Sequence, residues 1–230
     1  GSEMCIRDRP MADFKLAEVY SLIHKLQPQA LIGSNHHLAP NPGEDFQMFE
    51  KDLPGRSTKS FATSADDIGN LPLEVCETIN GSWGFNLKDR KHKSKKELVQ
   101  YLIKAAGYDS NLLLNVGPMP NGKIQEEHIK SLKEIGDWIK VNGETIYGTI
   151  RGPIDPTDEI ASTQKDNTIY IHLLDNRKTY FIEGYNPKIK KISYYHSNKK
   201  VKYQKTKSGL IINVDDNELD EIDTIIELEI

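Results

Sequence analysis

The stretch RGPIDPTDE, residues 151–159, divides this 230-residue sequence into two parts that obey different periodicities. Proline lacks an N–H and fixes φ, so Pro153 and Pro156 permit neither a continuous helix nor a central strand across it. Upstream, segments with helical spacing alternate with short apolar runs. Downstream come only short strand-like runs: TIYIHLLD, TYFIEG, KKISYYH, KVKYQKT, GLIINV and DTIIELEI, most of them parted by Asn176, Gly184, Asn198 or Gly209. The first pattern predicts parallel βα units and the second a small antiparallel β-sandwich. The expected fold class is therefore α/β over residues 11–150, followed by an all-β piece over 151–230.

In the first piece, Asp13 is placed to cap a helix running to about Leu26, with Leu16, Val19, Tyr20 and Ile23 as its apolar stripe. Pro28 ends that helix, and ALIGSN (30–35) follows as a short strand aimed at His36 and His37. LPLEVCETI (71–79) is a second strand. Ser94 and Glu97 form a capping box for a helix to Ala106, with Leu98, Tyr101, Leu102 and Ala105 as the expected buried face and Gly107 as its stop. NLLLNVGP (111–118) is nearly unbroken in its apolar character, which suits a strand buried on both faces. A last helix spans about Gln125 to Val141, with Ile129, Leu132, Ile135 and Ile139 inward, and stops at Asn142-Gly143. The first ten residues, GSEMCIRDRP, have neither periodicity nor a cap and read as a non-native leader.

Charge and composition narrow the function classes. Net charge is −4 and no extended basic block occurs, so nothing invites nucleic acid. The densest basic run, KDRKHKSKK (88–96), sits before a helix start and reads as a solvated loop rather than a phosphate site. No apolar run reaches the ~18–20 residues of a membrane span. Cys5 and Cys76 make no disulfide framework, and no metal-ligand spacing such as C-x-x-C is present.

Polar and aromatic residues gather just after the strands, where parallel sheets build their sites. His36 and His37 follow one strand, Glu77 and NGSWGFN (80–86) another, and Asn115 ends a third. The segment GEDFQMFEKDLPG (43–55) sets Glu44, Asp45, Glu50 and Asp52 among Phe46, Met48 and Phe49. Its apolar positions have no helical period and Pro54-Gly55 closes it, so it reads as a loop. From spacing alone these acids are either solvated or include one that handles a proton. Aromatic platforms beside carboxylates suit a sugar, whose apolar face stacks while its acetal oxygen needs a proton. Trp138, on a helix, reads as core.

The motifs LPLEVCETINGSWGFN, NLLLNVGPMPNGKI and LKEIGDWIKVNGETIYGT, in that order, resemble the C-terminal half of glycoside hydrolase family 29, the retaining α-L-fucosidases. The resemblance runs from about residue 12 onward. It implies the C-terminal half of a (β/α)8-type barrel followed by an antiparallel β-sandwich, and hydrolysis of terminal α-L-fucose from a fucosylated glycan with no metal or organic cofactor. It also implies an acid/base in a D-F-x-x-x-E pattern, matched here by Asp45-Phe46 and Glu50. Glu74, on the following strand, is the rival. Desolvation beside Phe46 and Phe49 favours a protonated carboxyl at Glu50. Trp83 aligns with an aromatic that contacts the fucose C5 methyl, or else packs in the core. His36 and His37 bond sugar hydroxyls, or else serve the structure.

The family's nucleophile lies in a Trp-Phe-Asp-Gly-like motif, and this sequence contains none. The chain is therefore expected to be inactive by itself and, with an uncovered sheet edge, to self-associate. The competing reading is a non-catalytic fragment, a glycan-binding or structural module. By family, the compartment is the periplasm or outside the cell.

Overall fold

The computed structural model describes residues 14–35, 39–56 and 68–230. Mixed helix and sheet are distributed over two compact units, one formed by residues 1–77 and 110–115, the other by 78–109 and 116–230.

In the first unit, helix α1 (Leu16–Leu26) follows Lys15, whose φ of 51° turns the chain into the helix. Asp13, the expected cap, lies outside the described residues. Of the apolar stripe only Tyr20 is buried; Leu16, Val19, Leu22 and Leu26 are exposed. Polar contacts hold this helix instead. Tyr20 Oη donates to Glu44 Oε1 at 3.2 Å and His24 Nε2 lies 2.9 Å from Asp45 Oδ2. Gly43, at φ +96°, lets the backbone pass beneath Tyr20, where an added Cβ would come within 3.0 Å of the tyrosine Cβ.

The sheet of this unit has the order β1-β2-β3-β4, from β1 (Gly33–Ser34), β2 (Phe46–Glu50), β3 (Leu73–Thr78) and β4 (Ser110–Asn115). β1 and β2 pair in parallel, as do β2 and β3, with Glu50 level with Cys76 and Met48 level with Glu74. Two expectations fail here. Residues 46–50 are a strand, not a loop. β4 is not buried on both faces: it is an edge strand, and Leu113 is 46% exposed.

The second unit begins with α2 (Lys95–Gly107), capped as expected: Ser94 Oγ accepts from Glu97 N, and Glu97 reaches back to Ser94 N. Its buried residues are Leu98, Val99, Ile103 and Ala105, so the face turns away from Tyr101 and Leu102. A Cβ on Gly107 would stand 2.8 Å from Pro156 Cγ, so this glycine serves close packing. Helix α3 (Glu126–Asn142) buries His128, Ser131, Ile135 and Trp138 and leaves Ile129 and Leu132 exposed. That stripe, at helical spacing, includes polar residues that a hydropathy reading passes over.

Two antiparallel sheets follow. One has the order β5-β6-β7-β12-β9, from β5 (Ile150–Arg151), β6 (Ile160–Lys165), β7 (Thr168–Leu173), β9 (Lys191–Tyr194) and β12 (Thr224–Glu229). The other is β10-β11-β8, from β8 (Thr179–Glu183), β10 (Lys202–Lys205) and β11 (Gly209–Asn213). They enclose one apolar core, with Ile171, Ile192, Ile226 and Leu228 from the larger sheet against Tyr180, Ile182, Leu210 and Ile212 from the smaller. β6 escapes sequence reading because IASTQK is half polar; buried Ser162 is satisfied by donating to Ile154 O and accepting from Ile154 N. No helix among the described residues is long and apolar enough to cross a membrane.

Candidate functional site

In a strand successive side chains alternate between faces. In β2 this puts Phe46, Met48 and Glu50 on one face, half-buried, and Gln47 and Phe49 on the other, fully buried. Phe49 therefore does not flank Glu50, contrary to the expectation from sequence. Phe46 does share its face, with its ring packed over Gly33, where a Cβ would meet the ring at 2.3 Å.

Glu50 ends β2, and its carboxylate Oε2 accepts from Asn35 Nδ2 at 2.8 Å. Asn35 stands one residue past β1, so two adjacent parallel strands deliver the pair from their C-terminal ends. Sequence reading did not single out Asn35; its only signal is its place directly after the strand. An amide does not titrate, so it can donate to Glu50 in either state, more strongly to the carboxylate than to the carbonyl oxygen of the carboxylic acid. It can therefore orient Glu50 through both halves of a proton cycle.

The neighbouring acids have other duties. Glu44 is buried and accepts from Asn41 N, Asn41 Nδ2 and Tyr20 Oη. Asp45 accepts from Ile32 N at 2.7 Å, and this bond, with the His24 imidazole, holds its carboxyl below the ordinary value. Asp52 is buried. Glu74 lies on the same face as Glu50 but level with Met48, two residues further from the C-terminal edge. At about 3.3 Å of rise per residue that is some 6–7 Å deeper along the strand. His36 and His37 lie outside the described residues.

Trp83 belongs to the second unit and is 38% exposed on the loop after β3. That loop is folded on itself: Ser82 Oγ donates to Asp89 Oδ2 at 2.8 Å, which keeps the Asp89 carboxyl low, and Lys93 Nζ donates to Thr78 O at 2.6 Å. A Cβ on Gly117 would fall 2.5 Å from Gly84 C and Phe85 N, so the SWGFN and NVGP motifs meet backbone to backbone. Beside them lies a cleft of about 440 Å³ lined by Phe85, Arg90, His92, Met119, Gln125 and Glu127 among others. Arg90 and His92 of the basic run line this cleft, within a loop whose residues remain exposed or half-exposed. Gln125 Nε2 donates to His92 Nε2 at 3.1 Å, and His92 stands edge-on to buried His128 at 5.4 Å between ring centroids. Burial lowers the His128 pKa, with the His92 charge acting in the same direction.

The sandwich contains a hydroxyl–imidazole–carboxylate row that is not a nucleophile. His172 and Asp223 are wholly buried, with Nδ1 and Oδ2 2.7 Å apart. Thr163 Oγ1, 3.5 Å from His172 Nε2, donates its proton to Thr145 O. No substrate reaches it.

The family model for alpha-L-fucosidase matches residues 6–144, more than half of the sequence. The chain belongs to the α-L-fucosidase family. It is 30% identical to human plasma alpha-L-fucosidase over 161 residues, which is 58% of this chain and 34% of that one. It is 32% identical to an alpha-L-fucosidase of Branchiostoma floridae over 193 residues, 71% of this chain and 43% of that one. Among solved structures, alpha-L-fucosidase isoenzyme 1 from Paenibacillus thiaminolyticus superposes with a TM-score of 0.75 at 30% identity, covering 93% of this chain and 53% of that one. The chain thus spans about a third to a half of the length of these α-L-fucosidases.

Proposed function

We propose that this chain carries the acid/base part of a retaining exo-α-L-fucosidase site, with residues 11–150 forming the C-terminal half of a (β/α)8-type barrel and 151–230 a supporting sandwich. The observation that carries the reading is Glu50 at the C-terminal end of a parallel strand, oriented by the Asn35 amide. Glu50 as a carboxylic acid donates its proton to the departing glycosidic oxygen. As a carboxylate it then takes a proton from the water that cleaves the glycosyl-enzyme. Phe46 and Met48, on the face of Glu50, supply apolar surface suited to the sugar's ring face; by the family resemblance alone, Trp83 is the aromatic for the C5 methyl and His36 and His37 the donors to its hydroxyls. The substrate class is a glycan ending in α-L-fucose, and the chemistry requires no cofactor.

Retention needs a second carboxylate as nucleophile, and the sequence contains no Trp-Phe-Asp-Gly motif to supply it. The purified 230-residue chain is therefore expected to release no fucose from an aryl α-L-fucoside above a Glu50→Ala control. Joined behind a segment bearing that motif, it should release fucose with retained configuration. Activity of the chain alone, or inversion by the joined protein, would overturn the reading.

The exposed α1 residues Leu16, Val19, Leu22 and Leu26 support self-association of the isolated chain. Light scattering should then show mass rising with concentration; a monomer at all concentrations would refute it.

A further inference from the structure

Two loops of the second unit, one following β3 in the chain and one following β4, are pinned to themselves and to each other. Gly117 packs backbone to backbone on Gly84 and Phe85. In the first loop Asp89 N donates to Asn86 O at 3.1 Å, Ser82 Oγ to Asp89 Oδ2 at 2.8 Å and Lys93 N to Ile79 O at 2.8 Å. In the second, Met119 N donates to Lys123 O and Gly122 N to Met119 O, both at 2.8 Å, in a turn that has Gly122 at φ +79°. The cleft of about 440 Å³ between them, closed by the start of α3, lies within one unit and is of a size that holds a small ligand.

Its walls have bonding capacity of both kinds to spare. Phe85 and Met119 are half-buried and give it apolar surface. Arg90 and Glu127 are exposed, and neither is in an ion pair among the described residues. Gln125 Nε2 donates to His92 Nε2, so the neutral imidazole carries its proton on Nδ1 and can donate from there. That leaves Gln125 Oε1 as an acceptor, with no donor among the described residues.

The charges narrow the ligand. Hydrogen bonds from Ser82 Oγ and from backbone N–H groups hold the Asp89 carboxyl below its ordinary value, so it stays ionised beside Glu127. Arg90 opposes them, with Lys88, Lys91 and Lys93 on the same loop, and neither sign dominates. His128, behind His92, is neutral at pH 7 because burial lowers its pKa. Among the described residues no three His, Cys, Asp or Glu side chains are grouped to hold a metal ion. What suits such walls is an uncharged molecule with an apolar face and a rim of groups that both donate and accept. A pyranose has that character: C–H groups on one face, hydroxyls around the edge.

We propose that this cleft binds one neutral pyranose residue of a glycan. The ring face lies on Phe85 and Met119. Sugar oxygens accept from Arg90 and from His92 Nδ1–H, and sugar hydroxyls donate to Gln125 Oε1 and Glu127. The inference does not rest on the role given to Glu50.

The test titrates the full 230-residue chain with lactose, maltose and N,N′-diacetylchitobiose, followed by ligand-observed NMR. Adenosine, glucosamine and glucuronic acid serve as flat, cationic and anionic controls. At least one disaccharide should bind with a millimolar Kd, and each control about tenfold more weakly or worse. Arg90→Gln/Glu127→Gln should weaken disaccharide binding by about tenfold, and Phe85→Ala by a similar factor. Lys95→Gln/Lys96→Gln and Glu50→Gln should each change it by less than about twofold. Arg90 and Glu127 are exposed, so the melting curve of their double variant should match the parent, and that variant decides if Phe85→Ala fails to fold. Absence of disaccharide binding overturns the proposal, as does binding unaltered in Arg90→Gln/Glu127→Gln or a control that binds as tightly. Binding lost in Glu50→Gln but kept in that double variant puts the sugar on β2, which overturns the cleft and leaves the role of Glu50 standing.

Discussion

Glu50→Gln, in a protein that carries this chain behind a Trp-Phe-Asp-Gly segment, is expected to lose about 100- to 10,000-fold in turnover on fucosides with poor leaving groups. On an activated aryl fucoside the loss of the first step should be small, because a good leaving group departs without a proton. Deglycosylation still needs a base there, so added azide should restore turnover and yield fucosyl azide. Glu74→Gln is the matched control. The two residues share a face, but Glu74 is level with Met48 while Glu50 is level with Cys76, closer to the C-terminal edge. Leaving-group dependence and azide rescue in Glu74→Gln, with Glu50→Gln near the parent, would move the acid/base to the deeper position. Neither variant showing them would remove β2 from the chemistry altogether.

The second large effect concerns stability. Asp223→Ala removes the partner of His172 Nδ1 where both side chains are fully buried. Breaking a buried pair from one side costs about 3–5 kcal/mol. For a chain of this size that lowers the melting temperature by roughly 10 °C. Replacing both, as His172→Phe/Asp223→Leu, should recover much of the loss, since no polar group is then left alone. Burial pushes the Asp223 carboxyl above its ordinary value, with the His172 charge opposing. A carboxyl raised in the folded state gives stability that is full below its unfolded pKa of about 3.8 and is lost as pH rises through the folded value. The gap between the parent and Asp223→Asn should therefore change across the range above pH 4, the parent losing ground as pH rises. A pH-independent gap, or a double variant no better than Asp223→Ala, would show that the pair is not coupled in this way.

The change from alternating helix and strand to antiparallel strands at residues 151–159 was legible because proline and turn residues act locally, whereas the two compact units do not divide there. Pro153 and Pro156 mark the change of rule, and the Ser94–Glu97 box opens its helix as read. Misreadings arose where a polar group is buried and satisfied at long range. Gln47 occupies an inward position of β2 and accepts from Gly69 N at 3.0 Å, so the strand's alternation is disguised in sequence. In α3, Ser131 and Asn142 are buried because they bond Glu127 O and Trp138 O within the helix, which turns the inward face away from Ile129 and Leu132. The candidate acid was legible only through the family pattern; its amide partner was not, since no local rule ties Asn35 to a residue fifteen positions on.

β12 is the last strand in sequence, yet it lies inside the five-stranded sheet, paired on one side with β7 and on the other with β9. During synthesis β9 has no ladder neighbour in that sheet until residues 224–229 have left the ribosome, and Ile226 and Leu228 are missing from the core until then. The smaller sheet has no such wait, because β8, β10 and β11 are complete by Asn213. Assembly on the ribosome is thus ordered: the three-stranded sheet and the β6–β7 pair can form first, and the larger sheet closes only when β12 enters between β7 and β9. A stall between Asn213 and Thr224 leaves the facing edges of β7 and β9 open to other chains.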